Sequence, residues 1–203
     1  MHKSKFWVLA IAGVITVSLT ACNQEVSAGS SESQETTKPT KTLNSETPST
    51  TSSNNVVKLE SDPSGNISCE AVLTPQALYE LNPNLALIPD VRLGLTSATK
   101  EIESLGGISC QISNLSSSSD TEIAIVKLTS KSSDYQTAAF SSAGIYTPQA
   151  IGDDLVSYFN SAEDIGQLQF VYRNYWVAIA SSSISDGLQA SALAGIVKVN
   201  LPN

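Results

Sequence analysis

The segment 167–183 constrains the fold of this chain more than any other. It reads "QLQFVYRNYWVAIASSS", with two runs of alternating residues on either side of Arg173-Asn174. Alternation of this kind is typical of β-strands, and asparagine suits a tight turn, so the segment predicts a β-hairpin. Pairing Tyr172 with Tyr175 gives the hairpin one large apolar face, which is expected to be the core face, and an antiparallel sheet is the expected centre of the fold.

Trp176 falls on the opposite face of the hairpin from that core face. With Val171 and Arg173 beside it, Trp176 forms a candidate binding patch, because aromatic and arginine side chains dominate binding hot spots. The alternative is that a helix, or the ambiguous segment 85–95, covers the indole. A Trp176→Ala variant separates the two: loss of partners at unchanged stability indicates a patch, and loss of several kcal/mol indicates a core residue.

Periodicity and turn residues predict the other elements of the fold. Strands are expected at 107–113, 121–129 and 155–159, an edge strand at 55–60, and a loop at 144–154. Helices are expected at 73–81 with Thr74 as N-cap, 96–107, 133–142 with Ser133 as N-cap, and 183–201 with Ser185 as N-cap. The expected class is α+β, with an antiparallel sheet packed by helices mainly on one face.

The N-terminal residues 1–21 predict a lipoprotein signal peptide, with a short cationic start and an uncharged apolar stretch from Phe6 to Ala21. The sequence Leu19-Thr20-Ala21-Cys22 looks like a bacterial lipobox, which implies that Cys22 is diacylated and becomes the mature N-terminus. Two acyl chains anchor a protein stably where one chain binds only marginally. The alternative is a free cysteine near an ordinary signal cleavage site.

Residues 22–55 then form the lipidated cysteine and a Ser/Thr-rich linker. This linker has almost no large apolar side chain, so it is expected to be a disordered tether. Residues 56–203 are expected to form a single extracytoplasmic domain. The predicted location is therefore the cell membrane, with the lipid bilayer as a partner through acylated Cys22.

Charge and histidine content limit the function of residues 56–203. They carry seven Lys and Arg against fifteen Asp and Glu, which argues against nucleic acid as a partner. The chain's single histidine is His2, inside the predicted signal peptide. Its loss with that segment excludes Ser-His-Asp and Cys-His catalysis and any zinc site that needs a histidine ligand.

Two cysteines remain if Cys22 is acylated. An exported chain with one such pair, Cys69 and Cys110, most simply bonds them to each other. Three motifs follow one another along the chain: "C-x-x-x-L-T-P-x-x-L" from Cys69, "G-G-I-S-C" ending at Cys110, and "A-I-G-D-D-L" at 150–155. Their arrangement resembles a group of actinobacterial lipoproteins whose extracytoplasmic domain has an unassigned function. The resemblance implies a Cys69–Cys110 disulfide, a compact α+β domain in the cell envelope and a relation to sensor and PsbP-like folds. It supplies no catalytic residues.

Two short motifs suggest chemistry, and each has a simpler interpretation. Ser97-Ala98-Thr99-Lys100 spells the S-x-x-K of penicillin-interacting enzymes, but no K-T-G accompanies it, so a helix N-terminus is expected. Gly152-Asp153-Asp154, and likewise Asp120 with Glu122, could offer carboxylates to a hard cation, although aspartate at a turn is usually a turn residue. We therefore predict no catalytic residue, metal or cofactor.

These observations favour a membrane-anchored extracytoplasmic lipoprotein whose domain is a non-enzymatic binding or sensor-like domain in the cell envelope, with an envelope protein or a small ligand as its partner. The alternative is a histidine-free hydrolase that acts on envelope substrates through Ser97 and Lys100 or a carboxylate pair.

Overall fold

One seven-stranded antiparallel sheet organises the computed structural model, which describes residues 57–88 and 91–203. Its strands, in chain order, are β1 Leu85–Ile88, β2 Ile108–Asn114, β3 Ser119–Lys127, β4 Thr147–Ile151, β5 Leu155–Ala162, β6 Ile165–Tyr172 and β7 Tyr175–Ser181. The helices of the described residues are α1 Cys69–Val72, α2 Pro75–Leu81, α3 Ser97–Ser104, α4 Ser130–Ser142 and α5 Gly187–Asn200. The α+β class and the antiparallel sheet are confirmed, while the predicted signal peptide and tether lie outside the described residues.

The strand order across the sheet is β1-β2-β3-β7-β6-β5-β4, so the β6–β7 hairpin lies near its centre. Tyr172 pairs with Tyr175 and Phe170 with Val177, which confirms the predicted register. The turn residues Arg173 and Asn174 have φ of 50° and 65°. Positive φ at both central residues is the primed turn whose twist matches that of the two strands.

The first sheet face, here called the α5 face, carries an apolar core. Helices α1, α2 and α5 pack on this face. From β6 and β7 this core takes Leu168, Phe170, Tyr175, Val177 and Ile179. Ala190, Leu193, Ala194 and Val197 of α5 close over them, so the large apolar hairpin face predicted from the sequence is buried as expected.

The second sheet face, here called the α3–α4 face, carries a smaller core. Ala98 and Ile102 of α3 and Phe140 of α4 pack against Ala124, Val126, Trp176 and Ala178 of β3 and β7. Three helices thus cover one face of the sheet and two cover the other. The hairpin face that holds Trp176 is a covered face.

A disulfide joins Cys69 of α1 to Cys110 of β2 across a Cα–Cα distance of 5.6 Å, as predicted. The bond ties α1 to the middle of a strand on the α5 face. For a sequence separation of 41 residues, loop entropy in the unfolded chain corresponds to stabilisation of about 4 kcal/mol.

Near the sheet edges two local expectations differ from the structure, and one segment that the sequence left ambiguous contains a strand. The predicted loop 144–154 contains β4, an edge strand in which Pro148 is tolerated because it need not donate to a ladder. The ambiguous segment 85–95 supplies the other edge strand, β1. The described part of the predicted strand 55–60 forms no strand, and beyond it Ser61 makes a single bridge to Leu128 before Pro63 follows.

Helix starts depend on which side chain reaches the free backbone N–H groups. Thr74 caps α2 as predicted. The Ser133 cap is wrong because α4 begins a turn earlier, where the Thr129 hydroxyl accepts from the Ser132 N–H. The Ser185 cap is also wrong, because the Asp186 carboxylate accepts from both Leu188 and Gln189 N–H groups at 2.9 and 3.1 Å.

Within residues 57–88 and 91–203, every helix is too short or too polar to cross a bilayer.

Candidate functional site

Trp176 does not form an exposed patch. Its side chain is only 1% exposed, and the Phe140 ring of α4 lies 6.5 Å from the indole, centroid to centroid. A helix therefore covers Trp176, as the alternative interpretation of the sequence predicted. Truncation of such a residue removes core packing, so Trp176 acts first as a structural residue.

Arg173 and Val171 do not join Trp176 in a common surface either. The Arg173 guanidinium lies 4.9 Å from the Tyr172 ring centroid and donates to the Leu201 carbonyl at 3.2 Å, both on the α5 face. Val171 is partly buried in the α3–α4 core. The predicted three-residue patch is therefore wrong, because the turn sends the arginine to one face while the helices cover the tryptophan on the other.

A cavity of about 430 Å³ opens on the α3–α4 face, where Trp176 forms part of its lining. The lining comes from the start of α3, from α4 and from strands β5, β6 and β7. This volume lies within the range of about 300–1,000 Å³ that small-molecule sites usually have. We refer to this space as the polar cavity, because amide and hydroxyl side chains line much of it.

The inner wall of the polar cavity is held in place by a hydrogen-bond chain. The Trp176 indole Nε1 donates to Gln169 Oε1 at 3.1 Å, and Gln169 Nε2 donates to the Tyr146 hydroxyl at 3.3 Å. Tyr146 packs edge-on against Phe140, with ring centroids 5.5 Å apart. Gln169 is 1% exposed and has both ends of its amide satisfied within the protein.

Two further amides lie beside this chain, on neighbouring strands. Gln167 of β6 pairs directly with Asn160 of β5, and both line the polar cavity. Gln167 is only 6% exposed, and its side chain makes no hydrogen bond to another residue of the described ranges. Asn160 Oδ1 is buried and likewise has no hydrogen-bond partner there. Gln167 and Asn160 thus add polar groups to the cavity lining, as does Gln136 of α4, whose side chain also makes no hydrogen bond to another described residue.

Glu122 of β3 positions the helix that forms the cavity's rim. Its fully buried carboxylate accepts from the N–H groups of Leu93, Gly94 and Leu95 at 3.2, 2.8 and 2.8 Å, and from the Ser109 hydroxyl at 2.8 Å. The segment 93–95 runs directly into Thr96, the N-cap of α3. The prediction that Glu122 is a turn residue is therefore wrong. Its buried carboxylate instead holds the backbone that leads into α3, and we call this contact the Glu122 clamp.

The S-x-x-K residues occupy this same helix start, as the simpler interpretation predicted. Ser97 and Lys100 both line the polar cavity and are exposed. In the described ranges the Ser97 hydroxyl has no hydrogen bond to the Lys100 ammonium, whereas a serine activated by a lysine needs that contact. The arrangement offers two polar rim groups rather than a formed nucleophile pair.

The acidic residues considered as cation ligands serve local structure. Residues 152–154 form the turn between β4 and β5, and Asp154 pairs with Lys198 of α5. The hydrogen bond and charge of Lys198 lower the pKa of Asp154. Within the described part of the chain, no group of three or more His, Cys, Asp or Glu side chains could hold a metal ion.

Comparison with known proteins gives no relative: no family model, no curated protein and no solved structure matches this chain.

The predicted register puts Gln167 and Gln169 on the same hairpin face as Trp176, but neither glutamine nor Asn160 was expected to line a site. A usable signal existed in "Q-L-Q" at 167–169, which puts two amides on one face of a central strand. Buried polar side chains at such positions need partners from the protein, from water or from a ligand.

Proposed function

We propose that this protein is a lipid-anchored extracytoplasmic binding protein, and that its folded part binds a small ligand in the polar cavity without catalysing a reaction. The carrying observation is Gln167, which is only 6% exposed, lines the cavity directly opposite Asn160 of β5 and makes no side-chain hydrogen bond among the described residues. A glutamine amide has two N–H donors and one carbonyl acceptor to offer to a ligand.

The anchoring part of the proposal has separate support. The lipobox-like residues 19–22 and the polar segment after them are typical of a tethered envelope protein. The Cys69–Cys110 disulfide also suits an exported protein, since disulfides persist in oxidising compartments. The similarity to actinobacterial lipoproteins noted above points to the same cellular setting.

Ligand binding can be tested by filling the cavity. Ala162 is exposed at the end of β5 and lines the cavity, so Ala162→Trp should block it with little loss of native packing. A small-molecule fraction of cell-envelope extract is expected to raise the melting temperature of the wild-type chain, because a ligand that binds only the folded state stabilises it. The blocked variant should show no such rise.

Ala150→Trp is the matched control, because Ala150 is an exposed strand alanine outside the cavity. It should respond to the extract like the wild type. An equal rise for all three proteins would show that the cavity is not the binding site.

Anchoring is tested by Cys22→Ala, which should move the protein from the membrane fraction to the soluble fraction. Ser18→Ala, a substitution in the same N-terminal segment, should leave it in the membrane fraction. Unchanged membrane partitioning of Cys22→Ala would contradict the anchor.

A histidine-free hydrolase remains the second candidate function, because Ser97 and Lys100 line the cavity. A fluorophosphonate or penicillin probe discriminates between the two proposals. Labelling that disappears in Ser97→Ala but persists in the nearby Ser104→Ala would establish the hydrolase and overturn the binding proposal.

A further inference from the structure

The chemistry of the polar cavity narrows the class of its ligand. Its charged side chains, Lys100, Glu101 and Glu163, are all exposed, whereas Gln167 and Gln169 are buried and Asn160 is half-buried. The deep end of the cavity is therefore polar but uncharged. A ligand that buried a charge there would lose hydration without meeting an opposite charge, which is costly.

The free amides set the hydrogen-bonding pattern that a ligand must match. A glutamine or asparagine amide has two N–H donors and one carbonyl acceptor. Side chains directly opposite on antiparallel strands have Cβ atoms about 4.5–5.5 Å apart, so the Gln167 amide and the Asn160 Nδ2 group can contact one ligand at adjacent atoms, while Asn160 Oδ1 is buried. A hydroxyl group donates and accepts at one atom, and neighbouring hydroxyls fit such a pair of amides.

Apolar groups also line the cavity. Leu95, Ala98 and Ile165 belong to its lining, as does the exposed Ile145. A sugar ring has hydroxyls around its rim and C–H groups on its faces, so it can use the amides and the apolar wall together. Trp176 is too buried to stack on a ring, and its part is to hold Gln169.

From these observations we infer that the polar cavity binds a neutral mono- or disaccharide, with Gln167 and Asn160 as the residues that recognise its hydroxyls. This inference rests on the proposed function, since it names the ligand class of the same cavity. The cavity volume of about 430 Å³ accommodates a ligand of this size.

The test uses the full chain in phospholipid nanodiscs, because sugar-based detergents would compete for the site. Isothermal titration calorimetry with glucose, trehalose and N-acetylglucosamine should give saturable binding of at least one of them. Glucuronate and alanyl-alanine are titrated in parallel as a charged sugar and an amide ligand. Gln167→Leu keeps the side-chain size and should weaken saccharide binding about tenfold or more, because an apolar group replaces the recognising amide.

Gln76→Leu is the matched control, since Gln76 is an exposed glutamine of α2 that does not line the cavity. It should bind like the wild type, and melting curves check that both variants are folded. Saccharide binding that Gln167→Leu leaves unchanged would overturn the inference, as would tighter binding of glucuronate.

Failure of the saccharide inference can be told apart from failure of the proposed function. Binding of alanyl-alanine that depends on Gln167, or a melting-temperature rise with envelope extract but no saccharide binding, would overturn the ligand class and leave the binding function standing. Absence of both the rise and all titration signals would overturn the two together.

Discussion

The two faces of the β6–β7 hairpin have the same backbone but opposite character. On the α5 face, Leu168, Phe170, Val177 and Ile179 form an apolar layer closed by α5. On the α3–α4 face the same strands present Gln167, Gln169, Trp176 and Ala178, and a cavity remains open above them. One face is packed fully, while the other keeps polar groups that packing alone does not require.

This difference suggests that the α5 face contributes most of the stability and that the α3–α4 face contributes less. Apolar burial contributes about 25 cal/mol per Å² and needs no matched partner, so the α5 face can supply stability. Buried amides contribute little net stability even when bonded and cost stability when left unpaired. Gln167 and Gln169 on a central strand therefore stabilise the fold less than apolar residues would there, which agrees with the proposed role of this face in binding.

Truncation on the α5 face should have the largest effect. Phe170→Ala is expected to lower the free energy of unfolding by about 3–5 kcal/mol, because it leaves a cavity in the apolar core. Urea unfolding followed by circular dichroism measures the loss. Val156→Ala, at a β5 position that is 51% exposed, should change stability by no more than about 0.5 kcal/mol. Similar values for the two variants would remove the basis for calling the α5 face the stabilising one.

Glu122→Gln should have the next largest effect and act on the α3–α4 face. The amide nitrogen would face N–H donors that the carboxylate now accepts, so we expect a loss of about 3 kcal/mol. Hydrogen exchange should quicken at the Leu93, Gly94 and Leu95 amides and stay unchanged in α5. Glu70→Gln, an exposed residue of α1, is the control with no expected change. Uniform loss of protection over both faces would contradict a local clamp.

Trp176→Phe should cost less, about 2 kcal/mol, because it keeps an aromatic ring but leaves Gln169 Oε1 without its donor. In the double variant with Gln169→Leu the orphaned acceptor is gone, so its cost should be smaller than the sum of the two single costs. Chemical denaturation of all three variants gives the coupling energy. Additive losses would mean that the Trp176–Gln169 hydrogen bond does not stabilise this face.

The apolar α5 face of the hairpin could be predicted from the sequence, whereas the polar cavity could not, and the reason is physical. Alternation and the Arg173-Asn174 turn are local signals, so they set the register in which Tyr172 pairs with Tyr175. Which helices cover Trp176 depends on contacts between segments far apart in the chain. The cavity lining joins Ser97, Asn160 and Gln167 from three separate elements, and no local pattern connects them.

The Glu122 clamp shows the same limit in a single residue. In the sequence Glu122 is one of two acidic residues near a strand start, which is typical of a turn. Its role follows from the segment 93–95, which directs three N–H groups at one carboxylate. A partner reached only through the fold cannot be inferred from spacing along the chain.

The smallest expected effect concerns Asp154, whose ion pair with Lys198 ties the β4–β5 turn to α5. The Lys198 hydrogen bond and charge lower the pKa of Asp154 below its ordinary value of 3.8, so folding favours the ionised carboxylate. Its stabilising contribution is then complete above the unfolded pKa and is lost as the pH falls through the lower, folded pKa. Asp154→Asn should therefore be slightly less stable than the wild type at neutral pH, and urea unfolding should show the gap closing below pH 3.8. The control is Asp153→Asn, beside it on the same exposed turn, which should match the stability of the wild type at every pH. If Asp154→Asn stays less stable than the wild type in acid, the turn geometry and not the ion pair holds this edge of the α5 face.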